Sequence, residues 1–265
     1  MSEMKLFMTS DETALNYASV GEGTPIVLLH TVYSDMSVFD GIVGKLAQRN
    51  QVILIDLRGH GSSDHLPDID FEDYANDVKE LLDYLYVKHA LFLTHELGGS
   101  VALDMAARFP EYVDGLMLIN PSKLKTLLPS DYLFQKYASQ IRTRDDDDQE
   151  RFLAKHLHFS PRKVRKQMKH YLDSEVLLTE FENQAVLRSF QIDITTTLPQ
   201  VKAPTVVIVG SANERTSVVG AEEIVDALDN AKLEVFDKSG LYPFAEQRET
   251  FYKSVTAFIK AYGRE

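Results

Sequence analysis

A glutamate in a glycine-rich turn constrains the fold of this chain more than any other feature. Residues 89–95 have the composition of a buried strand, and Glu96 follows them directly. Residues 97–99 are Leu-Gly-Gly, and residues 100–109 then carry the spacing of a helix. A strand, one residue, a glycine pair and a helix together predict a sharp turn that lifts one side chain above the sheet. The side chain presented in this way is the carboxylate of Glu96.

Short apolar runs elsewhere in the chain predict further strands that are buried on both faces. They lack the alternation of a half-exposed strand, as expected for a parallel sheet covered by helices; the runs are 26–29, 52–57, 91–93, 116–119 and 206–209. Helical patterns separate them, and one begins at Phe71 behind Asp70 as its N-cap. Residues 5–10 and 13–20 favour a hairpin. Alternating strands and helices predict a doubly wound α/β sheet with right-handed crossovers.

Residues 122–196 form a compositionally separate piece. Their net charge is +2, whereas the remainder of the chain carries −14. The segment contains helix signals but no good strand, which predicts an all-helical cap (122–196) on a core made of residues 1–121 and 197–265. The run Asp145–Asp148 is interpreted as a solvated helix start, because it lacks the glycine turn of a calcium loop.

Composition excludes several classes of function. The net charge of −12 opposes general binding to a phosphate backbone, so no nucleic-acid partner is expected. No apolar run reaches the roughly 20 residues of a membrane helix. The absence of cysteine excludes thiolate metal sites, and no phosphate loop, dinucleotide motif or metal cluster is found, so we expect no cofactor and no metal. The first residues do not resemble a signal peptide, and a cytoplasmic protein is the default expectation.

Five segments, in order, resemble the cap-bearing branch of the alpha/beta-hydrolase fold family. Residues 23–30 are similar to the strand before the oxyanion loop of that family, and residues 56–64 resemble its Asp-x-Arg-Gly-x-Gly-x-Ser-Asp loop. Residues 94–99 resemble its nucleophile elbow. Residues 203–210 are similar to the strand before its catalytic acid, and residues 241–251 to the region after its histidine. The resemblance implies a mostly parallel sheet of about eight strands, with the helical cap inserted after the sixth.

The same resemblance places unusual residues at the three catalytic positions. The nucleophile position falls on Glu96, the acid position on Asn213 and the histidine position on Leu241. No histidine follows His170, so the family's order of nucleophile, acid and histidine cannot be completed. Glu214 and Glu222 are candidate stand-ins for the acid, although an acid without an imidazole orients nothing. We therefore predict that ordinary Ser-His-Asp ester hydrolysis is absent.

The oxyanion donors implied by the resemblance are the backbone N–H groups of Val32 and Leu97. Thr31 stands where the family usually has glycine, which reduces the freedom of that loop. A small, largely apolar ligand is expected in a pocket above the elbow. The predicted pocket residues are His30, Thr31, Tyr33, His95, Phe134, Tyr137, Phe181 and Tyr242, of which both histidines are also expected to form structural hydrogen bonds.

Three functions remain open from the sequence. The first is a non-hydrolytic binding or regulatory protein, because the three catalytic positions are altered together. The second is a hydrolase, lyase or isomerase of altered chemistry that uses Glu96 as nucleophile or general base. The third is an interaction protein with a vestigial pocket, in which basic residues at 162–169 contact an acidic partner. The sequence leaves the oligomeric state undetermined.

Overall fold

The computed structural model describes residues 4–121, 129–172 and 178–264, and its centre is an eight-stranded sheet. The strands are β1 (Lys5–Met8), β2 (Ala14–Val20), β3 (Thr24–Leu29), β4 (Asn50–Ile55), β5 (Ala90–His95), β6 (Val113–Ile119), β7 (Thr205–Gly210) and β8 (Ala231–Phe236). Their spatial order is β1-β2-β4-β3-β5-β6-β7-β8. The predicted hairpin β1–β2 is antiparallel and joins β4 in antiparallel register, whereas all later pairs are parallel.

Helices connect the strands and form the region between β6 and β7. They are α1 (Asp40–Leu46), α2 (Phe71–Tyr84), α3 (Gly98–Arg108), α4 (Pro129–Lys136), α5 (Ala138–Ile141), α6 (Asp146–Leu157), α7 (Pro161–Gln167), α8 (Lys169–Leu172), α9 (Glu180–Ser189), α10 (Val218–Asp226), α11 (Pro243–Glu246) and α12 (Arg248–Tyr262). Short 3₁₀ turns occupy Met36–Phe39, Pro110–Tyr112, Ile194–Thr196 and Leu198–Gln200. The α/β class with a helical cap after the sixth strand is confirmed, while the cap boundary at residue 122 lies outside the described residues.

Two apolar cores cover the two faces of the sheet. Along β3, Val27 and Leu29 belong to the core that is shared with α2, α3 and α10, whereas Ile26 and Leu28 belong to the core shared with α1 and α12. Successive side chains of a strand point to opposite faces, so a strand covered on both sides has to be apolar throughout. This geometry explains the unbroken apolar runs of the sequence.

Two helices begin where the sequence indicates. Asp70 is the N-cap of α2, and its backbone N–H donates a hydrogen bond to the side chain of Asp73 at 3.0 Å. Asp145 caps α6 by accepting from the Asp148 N–H at 2.8 Å. The run Asp145–Asp148 therefore forms the start of α6.

Hydrogen bonds from the loops after β7 and β8 fix the cap to the core. The Leu241 N–H donates to the Leu157 carbonyl at 2.6 Å, and the Glu214 N–H donates to the His156 carbonyl at 3.0 Å. A Cβ atom on Gly240 would lie 2.0 Å from the Leu157 oxygen, so only glycine permits this approach. The end of α6 is therefore held directly over the carboxyl ends of the central strands.

Candidate functional site

The turn between β5 and α3 presents Glu96 at the carboxyl edge of the sheet. Glu96 has a φ of +46°, a left-handed conformation that a non-glycine residue rarely adopts. Its N–H donates to the Ile119 carbonyl at 3.0 Å, and its own carbonyl accepts from the Gly99 N–H at 3.0 Å. A Cβ on Gly98 would lie 2.5 Å from the His30 oxygen, so α3 begins tightly against β3. The strained turn is locked from both sides, which is typical of a functional position.

Arg215 holds the carboxylate of Glu96 in an ion pair. Its Nη1 donates to Oε1 at 3.0 Å and to Oε2 at 3.1 Å. The side chain of Glu96 is 2% exposed, and that of Arg215 is 19% exposed. The elbow residue is therefore buried against a cation that reaches partly towards solvent.

A cavity of about 310 Å³ opens above this ion pair. Its lining combines core loops with the cap and consists of Thr31, Val32, Tyr33, Glu96, Leu153, Ala154, Leu157, His158, Tyr171, Leu172, Arg215, Leu241 and Tyr242. The volume lies at the lower end of the range for small-molecule sites. Most of the lining is apolar, and the charged groups lie together at Glu96 and Arg215.

The residues at the predicted acid and histidine positions are buried and structural in their contacts. Asn213 is 3% exposed, and its Oδ1 accepts from the Arg215 N–H at 3.0 Å. Leu241 lines the cavity and is 3% exposed. The carbonyl of Leu241 accepts from Nδ2 of Asn120 at 2.8 Å. Asn213 thus shapes the turn that delivers Arg215 to the site.

Both predicted pocket histidines lie beneath the cavity rather than in its lining. His30 is fully buried, and its Nε2 accepts from the Leu57 N–H at 3.0 Å. His95 is also fully buried, and its Nε2 donates to the Leu241 carbonyl at 2.9 Å. Burial lowers the pKa of each imidazole, which keeps both rings neutral near pH 7.

The aromatic residues that were predicted from the cap do not line the cavity. Phe181 is 80% exposed and Phe134 is 41% exposed. Tyr137 stacks on His156, with 4.1 Å between ring centroids, and its hydroxyl donates to Glu214 at 2.6 Å. Leu153 and Leu157 of α6, together with Tyr171 and Leu172 of α8, provide the cap side of the cavity instead.

His158, at the C-cap of α6, is a site residue that the sequence analysis missed. It lines the cavity and stacks on Tyr242 with 5.4 Å between ring centroids. The pKa of His158 is lowered to about 4, chiefly by burial. The nearby Arg215 cation also lowers this pKa, and its effect is larger than the opposite effect of Glu96. An imidazole of this kind is neutral near pH 7 but is a weak base.

Of the two residues predicted to supply oxyanion donors, Val32 lines the cavity and Leu97 does not. The Leu97 N–H lies 3.4 Å from the Thr31 hydroxyl, a long contact for a hydrogen bond. Tyr33 also lines the cavity, with a φ of +53°. Ser100 lies inside the first turn of α3 and is 3% exposed, away from the cavity lining.

Glu214 connects the loop after β7 to the cap. Its carboxylate accepts from Nζ of Lys136 at 2.5 Å and from the hydroxyl of Tyr137, and it contacts Nδ1 of His156 at 2.7 Å. Burial tends to raise the pKa of Glu214, but these hydrogen bonds outweigh it and lower the pKa to about 2. The acid that the sequence left without an imidazole therefore pairs with one in the cap.

Acidification should loosen this connection. Because the pKa of Glu214 is lowered from 4.5 to about 2, its contribution to stability is present above pH 4.5 and is lost as the pH falls towards 2. We expect the melting temperature of the native chain to fall across that window more steeply than that of a Glu214→Gln variant. Thermal unfolding of both proteins between pH 2 and pH 7 measures the difference. Parallel curves would contradict the assigned role.

Among the described residues, no group of three or more His, Asp or Glu side chains is arranged to hold a metal ion. None of the described helices is long and apolar enough to span a membrane.

The chain belongs to the alpha/beta hydrolase fold family, whose profile matches residues 24–247. It is 26% identical over 267 residues to a pimeloyl-[acyl-carrier protein] methyl ester esterase of Vibrio vulnificus, a match that covers 93% of this chain and 98% of that protein. A stretch of 102 residues is 40% identical to an uncharacterized protein of Mycobacterium tuberculosis, covering 38% of this chain and 30% of that protein. The chain thus matches less than a third of the length of that relative.

Solved structures with the same fold include a thermophilic esterase from Thermogutta terrifontis with malate bound. It superposes with a TM-score of 0.80 at 21% identity and covers 99% of this chain and 100% of that chain. At this level of identity the likeness shows the fold alone. Curated relatives of the chain include esterases, lipases and other hydrolases.

Proposed function

We propose that this chain is a non-hydrolytic protein that binds a small, largely apolar ligand in the cavity above Glu96. The ion pair with Arg215 is the observation that carries the proposal. Both carboxylate oxygens of Glu96 lie within 3.1 Å of one guanidinium nitrogen, and the carboxylate is almost completely buried. A carboxylate neutralised by a cation is a poorer nucleophile and a poorer base than a free one.

The residues at the other catalytic positions also favour a protein that does not hydrolyse its ligand. Hydrolysis through a covalent intermediate needs an activated nucleophile and a base oriented by a third group. Asn213 and Leu241 occupy the positions that the family resemblance assigns to the acid and the histidine. His158 supplies an imidazole, but a pKa of about 4 is far below the operating pH at which a general base works best.

Ester hydrolysis is the direct test of this proposal. With p-nitrophenyl acetate near pH 7, we expect the release of p-nitrophenol to equal that of buffer alone. A Glu96→Gln variant is the matched control, because it keeps the shape of the side chain and removes its charge. Saturable turnover that disappears in this variant would overturn the proposal.

The position of His158 favours an enzyme of altered chemistry as a second candidate. Its ring lines the same cavity as Glu96, so a substrate could contact a carboxylate and a neutral imidazole together. Such an enzyme would use Glu96 as nucleophile or general base, once a substrate had displaced Arg215. A His158→Gln variant would then lose turnover while retaining ligand binding. In a pure binding protein, which has no turnover, the same variant would weaken ligand binding only by the lost ring contact.

A further inference from the structure

A cationic groove lies along the helices of the cap. It has a volume of about 950 Å³ and lies between α6 and α7. We define the cationic groove by its charged lining residues, which are Arg144, Arg151, Lys155, Arg162 and Arg165. Asp148 is the one carboxylate among the described residues that line it, and Asp148 lies 3.6 Å from Arg151. Among the lining residues that the structure describes, five cations thus face one carboxylate, in a protein whose net charge is −12.

Several of these cations lie close to one another on the same helix. Arg151 and Lys155 are four residues apart on α6, and Arg162 and Arg165 are three apart on α7, so each pair shares one helix face. Like charges at these spacings destabilise a helix by about 0.2–0.5 kcal/mol per pair. Arg162 also lies in the first turn of α7, which contains no acidic residue, although a helix start disfavours positive charge. A bound anion would remove this repulsion.

The cationic groove and the cavity above Glu96 adjoin each other. Ala154, His158 and Leu172 line both of them. On the cavity side of these shared residues the walls become apolar, with Leu153 and Leu157 from α6 and Tyr171 from α8. One elongated molecule can therefore contact the cations at one end and the apolar wall at the other.

We propose that the cationic groove binds the phosphate group of an amphiphilic small molecule whose apolar chain enters the cavity. This inference rests on the proposed function, since it names the ligand class of the same cavity. Four of the five cations are arginines, whose planar guanidinium groups bind phosphate through paired hydrogen bonds. A phosphate monoester carries a charge of about −1.5 to −2 at pH 7. A ligand with this group therefore suits a cluster of several cations better than a ligand with a single carboxylate does. The remaining surface is negative and repels such an anion, so its binding would be confined to the groove.

Isothermal titration calorimetry with three probes tests the two ends of the site separately. Monomeric decyl phosphate carries both ends, decanol has only the chain, and inorganic phosphate has only the charge. We expect decyl phosphate to bind at least ~10-fold more tightly than either partial probe, as one charge-assisted contact supplies about that factor. Its affinity should fall as salt is raised, whereas that of decanol should not.

An Arg162→Gln/Arg165→Gln double variant locates the anion site. We expect it to weaken decyl phosphate at least ~10-fold and to leave decanol binding unchanged. Lys166→Gln/Lys169→Gln is the matched control, because it removes the same charge from exposed residues that do not line the groove, and it should bind decyl phosphate like the native chain.

Each remaining outcome has a separate meaning. Equal affinity for decanol and decyl phosphate, or equal losses in the two double variants, would overturn the groove assignment and leave the cavity proposal intact. If neither decanol nor decyl phosphate binds, the proposed ligand-binding function itself fails. Binding to phosphatidate vesicles without affinity for monomeric decyl phosphate would overturn the groove assignment in favour of a membrane surface.

Discussion

Replacing Asn120 with alanine is expected to lower the free energy of unfolding by about 4 kcal/mol. Asn120 directly follows β6 and is fully buried. Its amide connects the loop after β6 to the end of β7 and to the loop after β8. Its Nδ2 donates to the carbonyls of Gly240 at 3.0 Å and Leu241 at 2.8 Å, and its Oδ1 accepts from the Gly210 N–H at 2.9 Å. Removing the amide takes this partner from the Gly240 carbonyl and the Gly210 N–H, at about 1–3 kcal/mol each, whereas the Leu241 carbonyl keeps its bond from His95.

Backbone conformation adds to this cost. Asn120 has a φ of +47°, which asparagine tolerates better than alanine does. An Asn120→Gly variant separates the two contributions, because glycine loses the same hydrogen bonds without the conformational penalty. We expect it to be about 1 kcal/mol more stable than the alanine variant.

Chemical denaturation with urea measures all of these variants. Asn76→Ala is the matched control, since its amide accepts a hydrogen bond from Arg108 at an exposed position and its loss should cost no more than about 0.5 kcal/mol. A loss at Asn120 as small as that at Asn76 would show that the loops after β7 and β8 do not depend on this amide. The delivery of Arg215 and Leu241 to the site would then need another explanation.

Most of the sheet was predictable because its determinants are local, whereas no apolar run marks the partly exposed strand β8. An apolar run such as residues 26–29 specifies a strand buried on both faces whatever its neighbours are, and Asp70 specifies a helix start within one turn. The position of Glu96 was predictable for the same reason, since the glycine pair that follows it is adjacent in sequence. Each of these features is decided within about ten residues.

Arg215 and His158 were not predictable because they depend on contacts between distant segments. His158 lies at the site next to Leu157, whose carbonyl accepts a hydrogen bond from the Leu241 N–H in the loop after β8. The family order places the imidazole after the acid position, whereas the cap provides His158 earlier in the chain. Arg215 lies two residues beyond Asn213, but nothing in the sequence indicates that it turns towards Glu96.

The cap aromatics show a different limit. Phe181 is apolar and lies on a predicted helix, yet it is 80% exposed. Hydrophobicity predicts burial somewhere, but the face that a short helix buries depends on where that helix docks. The cavity wall consists of Leu153 and Leu157, which the sequence does not distinguish from other apolar residues of the cap.

Replacing Arg215 with leucine should destabilise the protein more than removing the charge of its partner does. Without Arg215, Glu96 remains as a buried carboxylate that is 2% exposed, and we expect a loss of about 3 kcal/mol in the free energy of unfolding. In a Glu96→Gln variant the guanidinium is 19% exposed and can still donate to the amide oxygen, so a loss of about 1 kcal/mol is expected. The inequality follows from the difference in burial.

The double variant Glu96→Gln/Arg215→Leu completes a thermodynamic cycle. If the two side chains form the buried ion pair, the double variant should be more stable than the sum of the single losses predicts, with a coupling of about 1–2 kcal/mol. Urea unfolding at pH 7 gives all four free energies. Additive losses would mean that Glu96 is not neutralised by Arg215 in solution. The carboxylate at the elbow would then be free to act as a nucleophile or base beside His158, and the second candidate function would replace the first.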